Sequence, residues 1–330
     1  MRDTAARTRA GLDRDLSGEA GEAFDPRIRV DRAHLRRLEG RARGISFLPR
    51  QPAGSVLHGR HNSRLRGRGL NFEELRAYLP GDDVRAIDWK VTARTGEPHV
   101  RVYTEERDRP ALVVVDQRMS MFFGSKLNMK SVTAAETAML AAFRILDQGD
   151  RVGGVVFGDD LVAEIRPMRS RRAADLLLTA IADANALLRA DAPAVEPMPL
   201  NRPLEAVAKM VRRDHLVIII SDFDGIDDRT KTLLGGLSRH NDVLLCLVTD
   251  PMAEELPDPS QIVISDGTLQ AEIDTRDGRV HKALTEMASG RLAQILAWEH
   301  ELGLPVLPLS AGEETLPQMR RLMGLAVARR

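Results

Sequence analysis

Ala111-Leu112-Val113-Val114-Val115-Asp116-Gln117-Arg118-Met119-Ser120-Met121 is the stretch on which the fold turns. Five apolar residues without alternation describe a strand buried on both faces, and an acid ends it. Downstream, Val132, Ala135, Met139, Phe143 and Leu146 recur at helical spacing, which predicts a helix from near Asn128 to Gln148 closed by Gly149. Val152 to Phe157 reads as the next strand, and the turn Gly158-Asp159-Asp160 leads into an antiparallel partner, Val162 to Pro167. Helices over 171–189 and 204–213 precede Leu216 to Ile220, the most apolar strand, which ends in Ser221-Asp222-Phe223-Asp224-Gly225. A helix over 228–239, a strand over 243–248, a polar hairpin over 262–273, a helix over 280–302, a strand over 305–309 and a helix over 316–328 complete the chain. Strands alternating with helices predict an α/β fold: a Rossmann-like doubly wound sheet, mostly parallel with one antiparallel edge strand.

Upstream of this domain, 111–330, the character changes. Residues 54–110 carry many Arg and Gly and short extended runs, Ile87 to Val91 and His99 to Tyr103, and predict a small Arg-rich, β-containing lead-in domain. Within it Leu79-Pro80-Gly81-Asp82-Asp83 is a turn whose carboxylates suit the start of a helical turn. Residues 27–53 read as a basic amphipathic helix and linker, with Leu35, Leu38 and Ala42 at helical spacing among arginines. Residues 1–26, almost without large apolar side chains, cannot offset their ordering entropy by burial and read as a disordered tail.

Composition narrows the function classes. The chain has 330 residues, 43% hydrophobic and 29% charged, with 48 Lys plus Arg balancing 48 Asp plus Glu. No polyanionic partner is advertised by the whole molecule, although 12 Arg against Asp31 and Glu39 between Arg27 and Arg68 give a local net of +10. No apolar run approaches the roughly 20 residues of a membrane span. Met1 to Gly11 lacks the apolar core of a secretory leader, and a single Cys agrees with a reducing compartment, so a cytoplasmic protein is expected.

In doubly wound sheets the functional crevice lies beyond the carboxyl ends of the central strands, where this chain puts Asp116, Asp222 and Asp224. Such acids also serve as helix caps and loop acceptors. Asp116-x-x-x-Ser120 after one strand, with Asp222 closing another, resembles the Asp-x-Ser-x-Ser metal-ion-dependent adhesion site of von Willebrand factor type A domains. More of the chain, roughly residues 55 to 325, resembles a bacterial group, the domain-of-unknown-function family 58. The resemblance rests on Gly67-Arg68-Gly69-Leu70 leading to Phe72, on Leu79-Pro80-Gly81-Asp82-Asp83-Val84-Arg85-Ala86-Ile87-Asp88-Trp89, on Glu105-Glu106-Arg107-Asp108 and on Gln148-Gly149-Asp150-Arg151-Val152-Gly153. It implies a von Willebrand A-type sheet and a non-catalytic protein-binding module or adaptor. The implied partners are a MoxR-type AAA+ ATPase and its client proteins, in protein assembly, maturation or stress handling.

One position departs from the ion-site pattern, because its first Ser falls on Arg118. Three readings follow: weak Mg²⁺ held by Asp116, Ser120 and Asp222 with Arg118 swung outward; no metal, with Arg118 ion-paired to Asp222 or Asp224; or an ordinary surface Arg. The ion-paired reading is the one expected here, since a guanidinium between carboxylates balances charge without an ion. Ser170 is the candidate for a ligand from the second loop. As an interface, Arg118 would meet a partner's acid while Met119, Met121, Phe122 and Phe123 add apolar contact, and the stripe Arg60, Arg64, Arg66 and Arg68 would face an acidic partner. Gly81, Asp82, Asp83, Arg85, Asp88 and Trp89 belong either to that interface or to a lock between lead-in and main sheet.

Two alternatives use the same residues differently. Asp116, Asp222 and Asp224 could support a metal-dependent phosphoesterase or nuclease, which Arg118 opposes. The Arg-rich segment could bind nucleic acid or an anionic membrane, but aromatics for base stacking are few, Phe47 and Phe72 apart. His58 and His61 read as a solvated pair and Cys246 as a buried core thiol. No nucleophile elbow, phosphate-binding loop or dinucleotide fingerprint is present.

Overall fold

Each unbroken apolar run becomes a strand covered on both faces. A computed structural model describes residues 6–7, 25–43, 45, 70–105, 110–160, 162–189, 192, 196–254, 261–265, 270–274 and 278–323. In chain order the elements are β1 (Ala6–Arg7), α1 (Arg32–Arg36), β2 (Leu70–Ala77), α2 (Trp89–Thr95), β3 (His99–Glu105), β4 (Ala111–Asp116), α3 (Lys130–Asp147), β5 (Val152–Phe157), β6 (Val162–Met168), α4 (Arg171–Ala186), α5 (Asn201–Met210), β7 (Leu216–Ser221), α6 (Asp228–Ser238), β8 (Asp242–Thr249), α7 (Pro251–Glu254), β9 (Gln261–Ser265), β10 (Gln270–Asp274), α8 (Gly278–Leu302), β11 (Val306–Ser310) and α9 (Thr315–Met323). They fall in two compact units, Met1–Leu48 with Arg109–Arg330, and Pro49–Asp108.

In the larger unit the sheet order is β6-β5-β4-β7-β8-β11, with β1 bridging the outer edge of β6. All neighbours run parallel except β6, which pairs antiparallel with β5 as the short Gly158-Asp159-Asp160 turn requires. The order reverses at β4, so the chain leaves the carboxyl ends of β4 and β7 in opposite directions and opens a crevice between them. Val113, Val115, Ile218, Ile220 and Cys246 share one cluster with α3, α4 and α9. Leu112, Val114, Val217, Ile219 and Leu245 share the other with α5, α6 and α8. That two-sided burial is why these strands read as continuous apolar runs. Gly154 of β5 is required by close approach, since a Cβ there would lie 2.8 Å from the Val113 carbonyl oxygen.

The basic segment is corrected by the structure. Val30, Leu35, Leu38, Ala42 and Ile45 are buried in the α3/α4 cluster, so the described residues of this segment, 27–43 and 45, pack with the α/β unit rather than forming a separate helix and linker. Helix α1 is only five residues long, capped by Asp31 accepting from the His34 N–H at 2.6 Å. Its polar side chains meet α3 and α4: Arg32 pairs with Asp183 at 2.9 Å, Arg36 with Asp175 at 2.9 Å, and the His34 ring bonds Glu136 at 2.7 Å. Most of the expected tail, and Arg60, Arg64, Arg66, Arg68, His58 and His61, lie outside the described residues.

In the smaller unit β2 and β3 form an antiparallel pair. Ile87 to Val91, expected as extended, is not a strand: Ile87 makes one isolated bridge to Val100, and α2 begins at Trp89. The reason is Asp88, whose carboxylate accepts from the Lys90 and Val91 N–H groups and caps the helix, an option a local acid offers more cheaply than a ladder. Among the described residues no helix is long and apolar enough to cross a membrane.

Candidate strand-end site

The crevice is built by three strand ends that all terminate in acids. β4 delivers Asp116, β7 delivers Ser221 and Asp222, and β8 is followed by Asp250; these four are 0 to 3% exposed. Asp250 is spent on the loop after β4, accepting from Ser125 N at 2.8 Å and Ser125 Oγ at 2.5 Å. That loop is tight because Gly124 packs on Asn128, whose carbonyl oxygen would lie 2.2 Å from any Cβ at 124.

Asp116 is the hub. Its Oδ1 accepts from Arg118 N at 3.0 Å and Arg118 Nε at 3.1 Å, and its Oδ2 from Arg118 Nη2 at 2.7 Å and Ser221 Oγ at 2.6 Å. Arg118 is 2% exposed, with Nη1 donating to the backbone carbonyls of Met198 at 2.9 Å and Asp224 at 3.2 Å. Its Cζ lies 5.6 Å from the centre of the Phe157 ring, within cation–π range. The guanidinium therefore ties the loops after β4 and β7 to the segment before α5. Burial pushes the Asp116 carboxyl up, and the charge and hydrogen bonds of Arg118 pull against that rise without reversing it.

Asp222 has a second cation. Its Oδ2 accepts from Lys130 Nζ at 2.7 Å, and its Oδ1 from Asp224 N at 3.0 Å and Ser120 Oγ at 3.4 Å, with Arg118 Nη2 3.9 Å away. Burial raises this carboxyl too, but Lys130, followed by Arg118 and Arg291, outweighs it and holds Asp222 below the usual carboxylate range. The Asp224 side chain pairs with Arg291. Between Ser221 and Asp224 the backbone is strained: Phe223 takes φ of 55°, held by its fully buried ring and by its N–H donating to Ser221 Oγ at 2.8 Å.

These positions change several expectations. Arg118 is not a surface residue, and its principal partner is Asp116 rather than Asp222 or Asp224. With the guanidinium buried, it cannot present its charge to a partner protein, and Met121, fully buried, is core rather than interface. Met119 is 40% exposed and Phe122 and Phe123 half-buried. Ser170 stands after antiparallel β6, beside the start of β5 and so at the opposite end of the sheet from the crevice. Asp82, Asp83 and Asp88 are used inside the smaller unit: Asp82 by Arg76 at 2.7 Å, Asp83 by the Arg85 N–H at 2.9 Å, and Asp88 by Arg101 at 2.7 Å as well as by α2. Gly81 makes their turn with φ of 109°, and Trp89 is 68% exposed.

A divalent ion does not fit this donor set. Two carboxylates face two side-chain cations, so the charge is already balanced, and both oxygens of Asp116 are filled by donors. Among the described residues no three His, Cys, Asp or Glu side chains gather as ion ligands. Burial pushes the Cys246 thiol up to about 12, in keeping with a core role.

Residues 74–291 match the family described as "Protein of unknown function DUF58". The chain belongs to that family. The matched span takes in both the Gly81 to Trp89 turn and the strand-end acids. The uncharacterized proteins Mb1516 of Mycobacterium bovis and Rv1480 of Mycobacterium tuberculosis are each 30% identical to this chain over 307 residues, 92% of it and 91% of theirs. Among solved structures, the conserved hypothetical protein BatB from Bacteroides thetaiotaomicron is similar at 12% identity and a TM-score of 0.39, covering 65% of this chain and 98% of that one.

Lys130, Ser221, Asp250 and the buried amide pair Gln117–Asn185 escaped the sequence reading. Gln117 Nε2 donates to the Ser131 carbonyl at 3.0 Å, Asn185 Nδ2 to Gln117 Oε1 at 2.9 Å, and Val30 N to Asn185 Oδ1 at 2.8 Å. For Lys130 a signal existed: a cation on the first residue of a helix opposes the helix dipole and implies a nearby carboxylate. For the amides nothing in the spacing pointed to their meeting.

Proposed function

We propose that this chain is a non-catalytic, von Willebrand A-type protein-binding module that works in the cytoplasm with a MoxR-type AAA+ ATPase, in assembly, maturation or stress handling of client proteins. One observation carries the reading. The switch-point crevice gathers Asp116, Ser120, Ser221 and Asp222, and its two carboxylates are engaged by Arg118 and Lys130. A metal-assisted hydrolase needs those carboxylates free to hold an ion or accept a proton. The arrangement instead supports a rigid loop platform. Its accessible rim is the β4–α3 loop, with Met119, Ser125 and Lys126 exposed beside half-buried Phe122 and Phe123. A flexible thioether beside aromatic edges and a lysine suits a partner surface with apolar and acidic character.

The test is calorimetry between the full chain and a purified MoxR-type ATPase. The double variant Met119→Asp with Lys126→Glu should stay folded and bind at least about tenfold more weakly. Unchanged affinity would remove the rim from the interface, and no measurable binding by the wild type would remove the partner.

A further inference from the structure

We infer that Arg118 and Lys130 are built-in counter-ions that stand in the place of a divalent cation, so that the strand-end crevice is a converted ion site. As it stands it ignores Mg²⁺ and Mn²⁺, and it accepts one once both side-chain cations are removed. The ligand class follows from the oxygens that converge there. Asp116, Ser120, Ser221 and Asp222 are hard donors of the kind that Mg²⁺ and Mn²⁺ prefer. Ser221 Oγ lies 2.6 Å from Asp116 Oδ2, and Ser120 Oγ lies 3.4 Å from Asp222 Oδ1, so each carboxylate already has a hydroxyl beside it.

The place of the cation is also marked. Arg118 Nη2 stands 2.7 Å from Asp116 Oδ2 and 3.9 Å from Asp222 Oδ1, between the two carboxylates that an ion would bridge. Lys130 Nζ, at 2.7 Å, takes the remaining oxygen of Asp222. From that place the Arg118 guanidinium also ties the strand-end loops together, through its bonds to Asp116 and to the carbonyls of Met198 and Asp224. Adding a divalent ion to this balanced, 0 to 4% exposed set of acids would leave two positive charges uncompensated. Replacing both cations by neutral side chains would leave two buried acids without a counter-charge, which a divalent ion supplies as it displaces their protons. Only one consequence rests on the function proposed above, namely that partner binding is unaffected by a chelator.

The experiment is Mn²⁺ titration of the full chain by thermal shift and calorimetry. Wild type is expected to show no binding heat and no shift in millimolar Mn²⁺. The double variant Arg118→Ser with Lys130→Met is expected to melt early in chelator and to gain about 5 °C or more on Mn²⁺ addition. A shift in wild type that Asp116→Asn abolishes would overturn the inference, and so would a folded double variant that ignores Mn²⁺. Should the double variant not fold with or without Mn²⁺, Lys130→Ser decides. It keeps the Arg118 clamp and is expected to be as unresponsive as wild type, so a Mn²⁺ response there would overturn the assignment of Arg118 as the ion's substitute. These readouts need no partner, so a failed ATPase assay and a failed ion assay remain distinguishable.

Discussion

Arg118 on Asp116 in the larger unit and Arg76 on Asp82 in the smaller make nearly the same contact, a fork of two N–H donors on two carboxylate oxygens. The distances are 3.1 and 2.7 Å in the first and 2.7 and 2.8 Å in the second. Their surroundings differ: the first pair is 2% and 0% exposed, the second 37% and 22%. The carboxyls respond in opposite directions. Arg76 holds Asp82 down at about 2, whereas burial pushes Asp116 up despite its guanidinium. A contact's geometry therefore does not set its energetic weight alone; access of water does too, because desolvation penalises a buried charge even when its partner stands beside it.

The largest effect should come from breaking the buried pair. Arg118→Met leaves the Asp116 carboxyl without a counter-ion and three loops without their tie, and is expected to cost about 3–5 kcal/mol in urea unfolding. Asp116→Asn combined with Arg118→Met should be less harmful than the sum of the two single changes, since no lone charge is left behind. A loss under about 1 kcal/mol for Arg118→Met would erase the contrast between the two units.

Lys130→Met comes next, at about 2 kcal/mol, because Asp222 keeps Arg118 nearby and its own loop N–H donor. It should also change the acid limb. A carboxyl held below its ordinary value stabilises the fold above the ordinary range, near pH 4, and that stability is lost as pH falls through the depressed value. With Lys130 removed, Asp222 should titrate higher and acid unfolding should begin at higher pH, as circular dichroism against pH would show. An unchanged acid midpoint would mean that Lys130 does not set the charge of Asp222.

In the smaller unit, Asp88→Ala removes the α2 cap and the Arg101 partner and should raise amide exchange of Lys90 and Val91 selectively, with a smaller loss than either change in the crevice. Arg76→Ala should have the smallest effect, because water replaces the guanidinium on a partly exposed acid. Its signature is again acid-dependent: the contribution of Asp82 is present above about pH 4 and fades toward pH 2, so wild type and variant should converge at low pH. If Arg76→Ala cost as much as Arg118→Met, exposure would not be the deciding variable.

Periodicity carried far along this chain. The strand β5 and the helices α3 and α6 were legible to within a few residues, because two-sided burial of a sheet strand and one-sided burial of a helix leave different spacings of apolar residues. The strand ends Asp116 and Asp222 were legible for the same reason, since an acid that stops an apolar run has to stand at its edge. Ile87 to Val91 was misread because an apolar pair flanking an acid looks extended until the acid's side chain is known to turn back onto its own backbone.

The sequence by itself determined the alternation of strands and helices, the reversal of direction at Gly158-Asp159-Asp160, and the presence of Arg118 where a small hydroxyl was expected. Only the tertiary structure decided that Arg118 points inward onto Asp116, that Lys130 neutralises Asp222 from a helix start, that Ser170 lies at the far end of the sheet, and that Val30, Leu35, Leu38, Ala42 and Ile45 are core. Secondary structure follows from spacings within a few residues, which a linear string contains. Charge pairing and burial depend on contacts such as Lys130 with Asp222, 92 positions apart, or Val30 with Asn185, 155 apart, and these exist only once the sheet has brought its strand ends and covering helices together.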